Sequence, residues 1–268
     1  MIHPSSEIAP GARIGARVHV GPFCTVGPDV VLEDGVDLVS HVAVDGRTRI
    51  GAGTKVYPFA TVGLAPQDLK YQGEDTATDI GPRCVIREHC TIHRGTVTGT
   101  GITRIGAGCL LMAVVHVAHD CSIGDNVVIA NNVVMGGHVE IADQAIIGGA
   151  TAIHQFARIG TGAMVGGASG VEADVIPYGS VIGNRARLHG LNIIGLRRRG
   201  LDKTAQHRLR TAYRTLFQSE GTFAERVEQV RISAEGDPYI ATILAFIDTP
   251  SKRGLIRTTT RHTDDPET

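Results

Sequence analysis

One spacing governs this chain. An aliphatic residue returns every six positions, from Ile8 through Ile14, Val20, Val26, Leu32, Leu38, Val44, Ile50 and Val56 to Val62. The register survives a gap to Ile80, Ile86 and Ile92, slips by one residue, and restarts at Ile105 to run unbroken to Val171. All 25 hexads open with an aliphatic residue or methionine, and in 24 of them the fifth position is small or β-branched, Pro66 being the exception. A helix needs spacings of three and four, and a strand needs two. A sustained period of six therefore means short strands separated by turns, with positions one and five pointing inward. Glycine recurs at the second position (Gly15, Gly51, Gly106, Gly124), where it is expected to permit the bend. With 34 glycines in 268 residues, 4% aromatics and no tryptophan, the core must be narrow and aliphatic.

This is the hexapeptide signature of a β-helix. It resembles the left-handed parallel β-helix of acyltransferases, in which three hexads make one triangular coil. The hand is implied by the resemblance, since the usual crossover rule runs the other way. Coils are expected about 4.8 Å apart. The fold class is thus all-β, a left-handed parallel β-helix over residues 1–183, followed by a small α-helical domain over 184–257 and a polar, disordered tail over 258–268. Between Val62 and Ile80 the inward positions would be Asp68 and Glu74. Charges do not belong in the bore, so one full coil is expected to be replaced by an extruded loop, 63–79. Arg94 to Arg104, rich in Gly and Thr, reads as a smaller loop. Past Gly190 the pattern turns helical. Leu209, Ala212, Tyr213, Leu216 and Phe217 share one helix face, Thr222 and Glu225 form a capping box, and Pro238 opens a last helix.

Composition excludes several function classes. The formal net charge of −1 argues against a nucleic-acid binder. The longest strictly apolar run, Cys109 to Val115, is too short to insert stably in a bilayer. The N-terminus shows no secretory signal, so a cytoplasmic protein is expected. All five cysteines (Cys24, Cys84, Cys90, Cys109, Cys121) occupy the fifth hexad position, which reads as packing in a reducing compartment. Residues 185 to 214 hold nine Arg or Lys against one acid, Asp202. Arginines without interleaved aromatics suit a phosphate-bearing ligand or an acidic carrier protein better than nucleic acid.

Register also turns histidines into geometry. Val117, Met135 and Ile153 lie eighteen apart and share one face. His119, His138 and His154 follow them at outward positions and should form a ladder along one edge, with His116 and His93 bordering it. A neutral imidazole can take a proton from a hydroxyl at pH 7, and an adjacent carboxylate can fix its tautomer. His119-Asp120 is the pair that fits. Gly137, one coil above His119, can offer its backbone N–H to an oxyanion. No serine or cysteine stands beside a base, which favours direct transfer without a covalent intermediate.

The stretches Gln67–Tyr71, Thr91–Thr96, His116–Cys121, Gly137-His138, Ile153–Phe156 and Gly195–Gly200 resemble the bacterial acyl-carrier-protein–UDP-N-acetylglucosamine O-acyltransferases, which open lipid A synthesis. The resemblance implies that His119 deprotonates the sugar 3-hydroxyl with support from Asp120, while the Gly137 N–H stabilises the oxyanion. Lys70, His93, His116, His138, His154 and Gln155 would line a cleft between subunits of a homotrimer. Asp68, Asn192, Arg198 and Arg199 match positions that hold the nucleotide sugar or the carrier arm, and Gly167 the position that limits acyl length. No cofactor is implied, because the acyl chain arrives on the phosphopantetheine of acyl carrier protein. Ile194 departs from the acid common there. The rival readings are a zinc enzyme using His116, His119 and His138, the sister N-acyltransferase of lipid A synthesis, and a non-catalytic scaffold.

Overall fold

A computed structural model describes residues 1–234 and 236–258. Strands of mostly two residues alternate with tight turns and stack into three parallel sheets. Nine strands, from Glu7–Ile8 to Gly170–Val171, form the first face, and eight, from Arg13–Ile14 to Arg158–Ile159, the second. The third begins at His19–Val20 and reaches Met164–Val165 before its last two strands, Gly179–Ile182 and Arg187–Leu191. The chain visits the faces in turn, so each coil is a triangle and its three corners run the length of a prism. This is the parallel β-helix that the hexads imply, with the left hand that the resemblance implies. Residues opening the hexads fill the bore, and Leu32, Leu38, Ile50, Ile80, Ile129 and Ile147 are wholly enclosed. The five cysteines are free and buried there too.

Two local expectations are corrected. Left-handed backbone falls at the fourth hexad position, on residues such as Phe59 (φ 65°), Asp120 (φ 59°) and Asn126 (φ 54°), and not at the second. Second-position glycines instead meet the next coil. A Cβ on Gly106 would stand 2.6 Å from the Gly124 carbonyl carbon, and one on Gly51 2.6 Å from that of Gly81. The glycines are there for close approach between coils. Nor does the loop after Val62 replace a coil. Ile80 pairs with Ile50, thirty residues back, where Ile141 pairs with Ile123, eighteen back. The extra residues are an insertion within a single corner. The segment after Ile92 is another, in the same corner one coil higher, with Ile105 paired to Ile80.

The strand pattern outlasts the hexads. Gly179–Ile182 still pairs in parallel with Met164–Val165, and Arg187–Leu191 closes the sheet antiparallel to it. Among the described residues four helices follow: α1 (Ile193–Arg198), α2 (Lys203–Gln218), α3 (Phe223–Ser233) and α4 (Pro238–Asp248). Leu209, Ala212 and Leu216 of α2 bury against Val230 of α3 and Ile240 and Ile243 of α4. The Thr222–Glu225 capping box is present at the start of α3. Arg158, on the prism, pairs with the enclosed Asp174 at 2.8 Å and donates to the carbonyls of Phe246 and Thr249, which fastens the end of α4 to the coils. The chain then returns along the prism, where Ile256 donates to the Asp174 carbonyl. Of the tail 258–268, all but Thr258 lies outside the described residues.

Candidate active site

The corner between the first and second faces carries both insertions and, above them, the histidines. Strand pairings Thr91 to His116, His116 to Val134 and Val134 to Ala152 hold successive coils in register, so the turns that follow stack in one column. His119 and Asp120 occupy the first of these turns, Gly137 and His138 the second, and His154, Gln155 and Phe156 the third.

The left-handed backbone at Asp120 brings two consecutive side chains together, His119 Nδ1 lying 2.8 Å from Asp120 Oδ2. The Asp120 side chain has no solvent exposure. It accepts from the Thr96 hydroxyl (2.7 Å), the Thr96 amide (3.1 Å), the Gly101 amide (3.0 Å) and the Thr100 hydroxyl (3.2 Å). Burial alone would raise its pKa, but the bonds from Thr96 and His119 outweigh it and hold the carboxyl below its ordinary value. The inserted loop 94–101 is thus a cradle for one carboxylate. Gly99 is required in it, since a Cβ there would sit 2.5 Å from Asp120 Oδ1. With Nδ1–H given to Asp120, His119 keeps its lone pair on Nε2.

Gly137 sits against that ring. A Cβ on it would stand 2.7 Å from His119 Nε2, so only glycine leaves the imidazole its place. The amides on either side are committed, Gly136 to the Ile153 carbonyl and His138 to that of His119. The Gly137 amide has no acceptor among the described residues. An unpaired N–H therefore lies one coil above the base, where an oxyanion donor is useful. His138 meets His119 edge-on, ring centroids 5.1 Å apart, and stacks on Phe156 at 4.4 Å and 8°. Burial pushes its pKa down. Below the dyad, His93 is enclosed beside His116 at 5.0 Å. Burial, with His116 and His119 nearby, pushes its pKa down to about 4. His116 is lowered by burial as well and bonds Thr91 Oγ1 at 2.7 Å.

The remaining site residues divide by corner. Asp68 and Lys70 lie on the first inserted loop, in a turn closed by the Lys70 amide on Asp68 Oδ1 at 3.0 Å. His154 and Gln155 are exposed on the dyad's own corner. Asn192, Arg198 and Arg199 are elsewhere. Asn192 caps α1 and donates to the Gly162 carbonyl, and Arg199 donates to that of Gln144, both in the corner between the second and third faces. Gly167 is exposed in the corner between the third and first faces. One chain therefore does not bring Asn192, Arg198, Arg199 or Gly167 to the dyad. Most of the basic cluster is exposed on α1 and α2, with Arg208 paired to Asp237.

The zinc reading does not find its ligands together. Among the described residues, the groups within one ion's reach are His119, Asp120 and His138, not His116, and Asp120 already receives a full set of donors. Sequence reasoning missed Thr96, Thr100 and Phe156. The Gly/Thr-rich composition of 95–101 was the available signal for the first two.

Comparison with known proteins identifies the family. Residues 174–256 match the family model described as UDP-N-acetylglucosamine O-acyltransferase, domain 2, and residues 102–137 match bacterial transferase hexapeptide repeats. The acyl-[acyl-carrier-protein]–UDP-N-acetylglucosamine O-acyltransferase of Azorhizobium caulinodans is 51% identical over 255 residues, 95% of this chain and 94% of that protein. The protein of the same name from Rhizobium johnstonii is 45% identical over 95% of this chain and 93% of its own. Among solved structures, the UDP-N-acetylglucosamine O-acyltransferase of Moraxella catarrhalis superposes with a TM-score of 0.93 at 45% identity, covering 96% of this chain and 99% of that one. The chain belongs to the acyl-[acyl-carrier-protein]–UDP-N-acetylglucosamine O-acyltransferase family.

Proposed function

We propose that this chain transfers an acyl group, 3-hydroxylated or plain, from the thioester of acyl carrier protein to the 3-hydroxyl of UDP-N-acetylglucosamine, the first step of lipid A biosynthesis. The observation that carries the reading is the His119–Asp120 dyad with an uncommitted Gly137 amide one coil above it. His119 Nε2 removes the hydroxyl proton as the sugar oxygen forms a bond to the thioester carbonyl carbon. Asp120 stabilises the imidazolium. The oxyanion takes the Gly137 N–H. Collapse breaks the carbon–sulfur bond, and the phosphopantetheine thiolate leaves with the proton held by His119. No enzyme nucleophile is used, in keeping with cysteines that all face the bore, and the reaction calls for no metal or redox cofactor.

A cytoplasmic homotrimer completes the reading. Three prisms packed side by side set one chain's dyad corner against its neighbour. That brings Asn192, Arg198 and Arg199 of one chain, and the exposed Gly167, towards the dyad of the next. Lys70, His93, His116, His138, His154, Gln155 and Asp68 then line the cleft. The test is direct. Purified protein is incubated with UDP-N-acetylglucosamine and a panel of acyl- and hydroxyacyl-carrier proteins, and products are read by mass spectrometry. An O-acylated nucleotide sugar is expected; no product from any donor would overturn the reading.

A further inference from the structure

Beside the dyad, on the second-face flank, lies a groove of about 440 Å³ lined by Thr100, Arg104, Asp120, His138, Phe156 and Lys252 among others. Lys252 comes from the segment after α4, far from the dyad in sequence. Its Nζ stands 4.1 Å from the centroid of the Phe156 ring, while the same ring stacks on His138. A cation over an aromatic face is held by the ring quadrupole. The backbone that carries it is also fixed. Ser251 Oγ accepts the Arg253 and Gly254 amides at 3.0 Å, and Arg253 Nε donates to the Glu172 carbonyl at 3.0 Å. The Gly254 carbonyl accepts the Asp174 amide at 2.8 Å. Lys252 is thus an exposed ammonium on a pinned turn, and it forms no ion pair among the described residues. Its groove neighbours are differently placed: Arg158 is committed to Asp174 and Asp120 to His119. Arg104 and Glu140 also line the groove, so three cations (Lys252, Arg104, Arg158) face two carboxylates (Asp120, Glu140) and the lining is net positive.

We propose that Lys252 binds a phosphate group of a substrate and is a specificity-determining residue of this site. The inference rests on the proposed function, because both substrates of that reaction carry phosphate: the diphosphate of the nucleotide sugar and the phosphodiester of the carrier's phosphopantetheine. An ammonium is a point-charge phosphate binder, and here it is set at the edge of the groove that His138 and the dyad share.

The experiment uses the full chain, as Lys252→Gln and Lys252→Arg. Lys252→Gln removes the charge and keeps an unbranched polar side chain. It is expected to raise KM for one of the two substrates about tenfold, the size of one charge-assisted hydrogen bond, with kcat changed less than about twofold. Lys252→Arg restores most of the loss. The substrate whose KM moves identifies the phosphate. Unchanged KM values overturn the proposal, as does a fall in kcat alone, or an equal rise in both KM values with a lower melting temperature. Calorimetric titration with UDP-N-acetylglucosamine and with holo acyl carrier protein reads the same contact without turnover. A wild type that binds without transferring sinks the proposed function but still tests Lys252. A wild type that binds neither ends both.

Discussion

At the scale of single residues, His119 is separable from the fold. Its side chain projects from a corner and none of it enters the bore. His119→Ala is expected to lower kcat by about 10²–10⁴-fold, the usual contribution of a positioned base, with the melting temperature nearly unchanged. Near-normal turnover would remove His119 from the mechanism. His93 is the opposite case, a buried group whose charge state bears on stability. Unfolded, it takes up a proton near its ordinary pKa of 6.5; folded, only near about 4. Its neutral form therefore supports the fold fully above pH 6.5, and that support drains away as pH falls towards 4. Denaturant unfolding at pH 7.5 and pH 5 should differ, with a share of about 1–3 kcal/mol from this residue. His93→Leu should flatten the difference, and an unchanged slope would assign the acid sensitivity elsewhere. The histidine column was legible in the sequence because a period of eighteen fixes which turns share a corner. The threonine cradle of Asp120 was not, because an insertion leaves the repeat and its path cannot be read from register.

At the scale of the element, the hexad divides its turn into two jobs. The second position brings coils together and the fourth reverses the chain. Sequence periodicity located both positions but could not tell close approach from left-handed backbone, since glycine serves either. The distinction is measurable. Gly106→Ala puts a methyl against the backbone of Gly124 and is expected to destabilise by about 1–3 kcal/mol. Asn126→Gly, at φ 54°, relieves left-handed strain and should be close to neutral. Equal losses from the two in thermal or denaturant unfolding would refute the assignment. The insertion after Val62 is ambiguous in the sequence for a related reason. Its length is a multiple of six, so counting alone could not separate a missing coil from a lengthened corner. Only the pairing of Ile80 with Ile50 does.

At the scale of the whole molecule, the proposed site is divided among corners of the prism. If neighbouring chains complete it, two inactive variants can complement. His119→Ala and Arg198→Ala, each weak alone, should regain a measurable fraction of activity when co-expressed, because mixed assemblies contain some clefts with both wild-type halves. Mixtures no more active than the separate variants would place both residues in a cleft made by one chain. The C-terminal helices were legible from spacing and caps, whereas their fastening through Arg158 was not, because the Phe246 and Thr249 carbonyls it reaches lie in a segment that shares no period with the coils.

Both insertions leave from one corner, and the second and third faces pass them without losing register. The molecule thereby keeps its capacity to vary apart from its capacity to stand. Along the faces, a single added residue would turn every inward side chain outwards. At the dyad corner, whole segments have been added at no cost to the stacking on either side. New substrate preferences can therefore be written into that one edge, by lengthening or exchanging its loops, while the rest of the sequence is held to its metre.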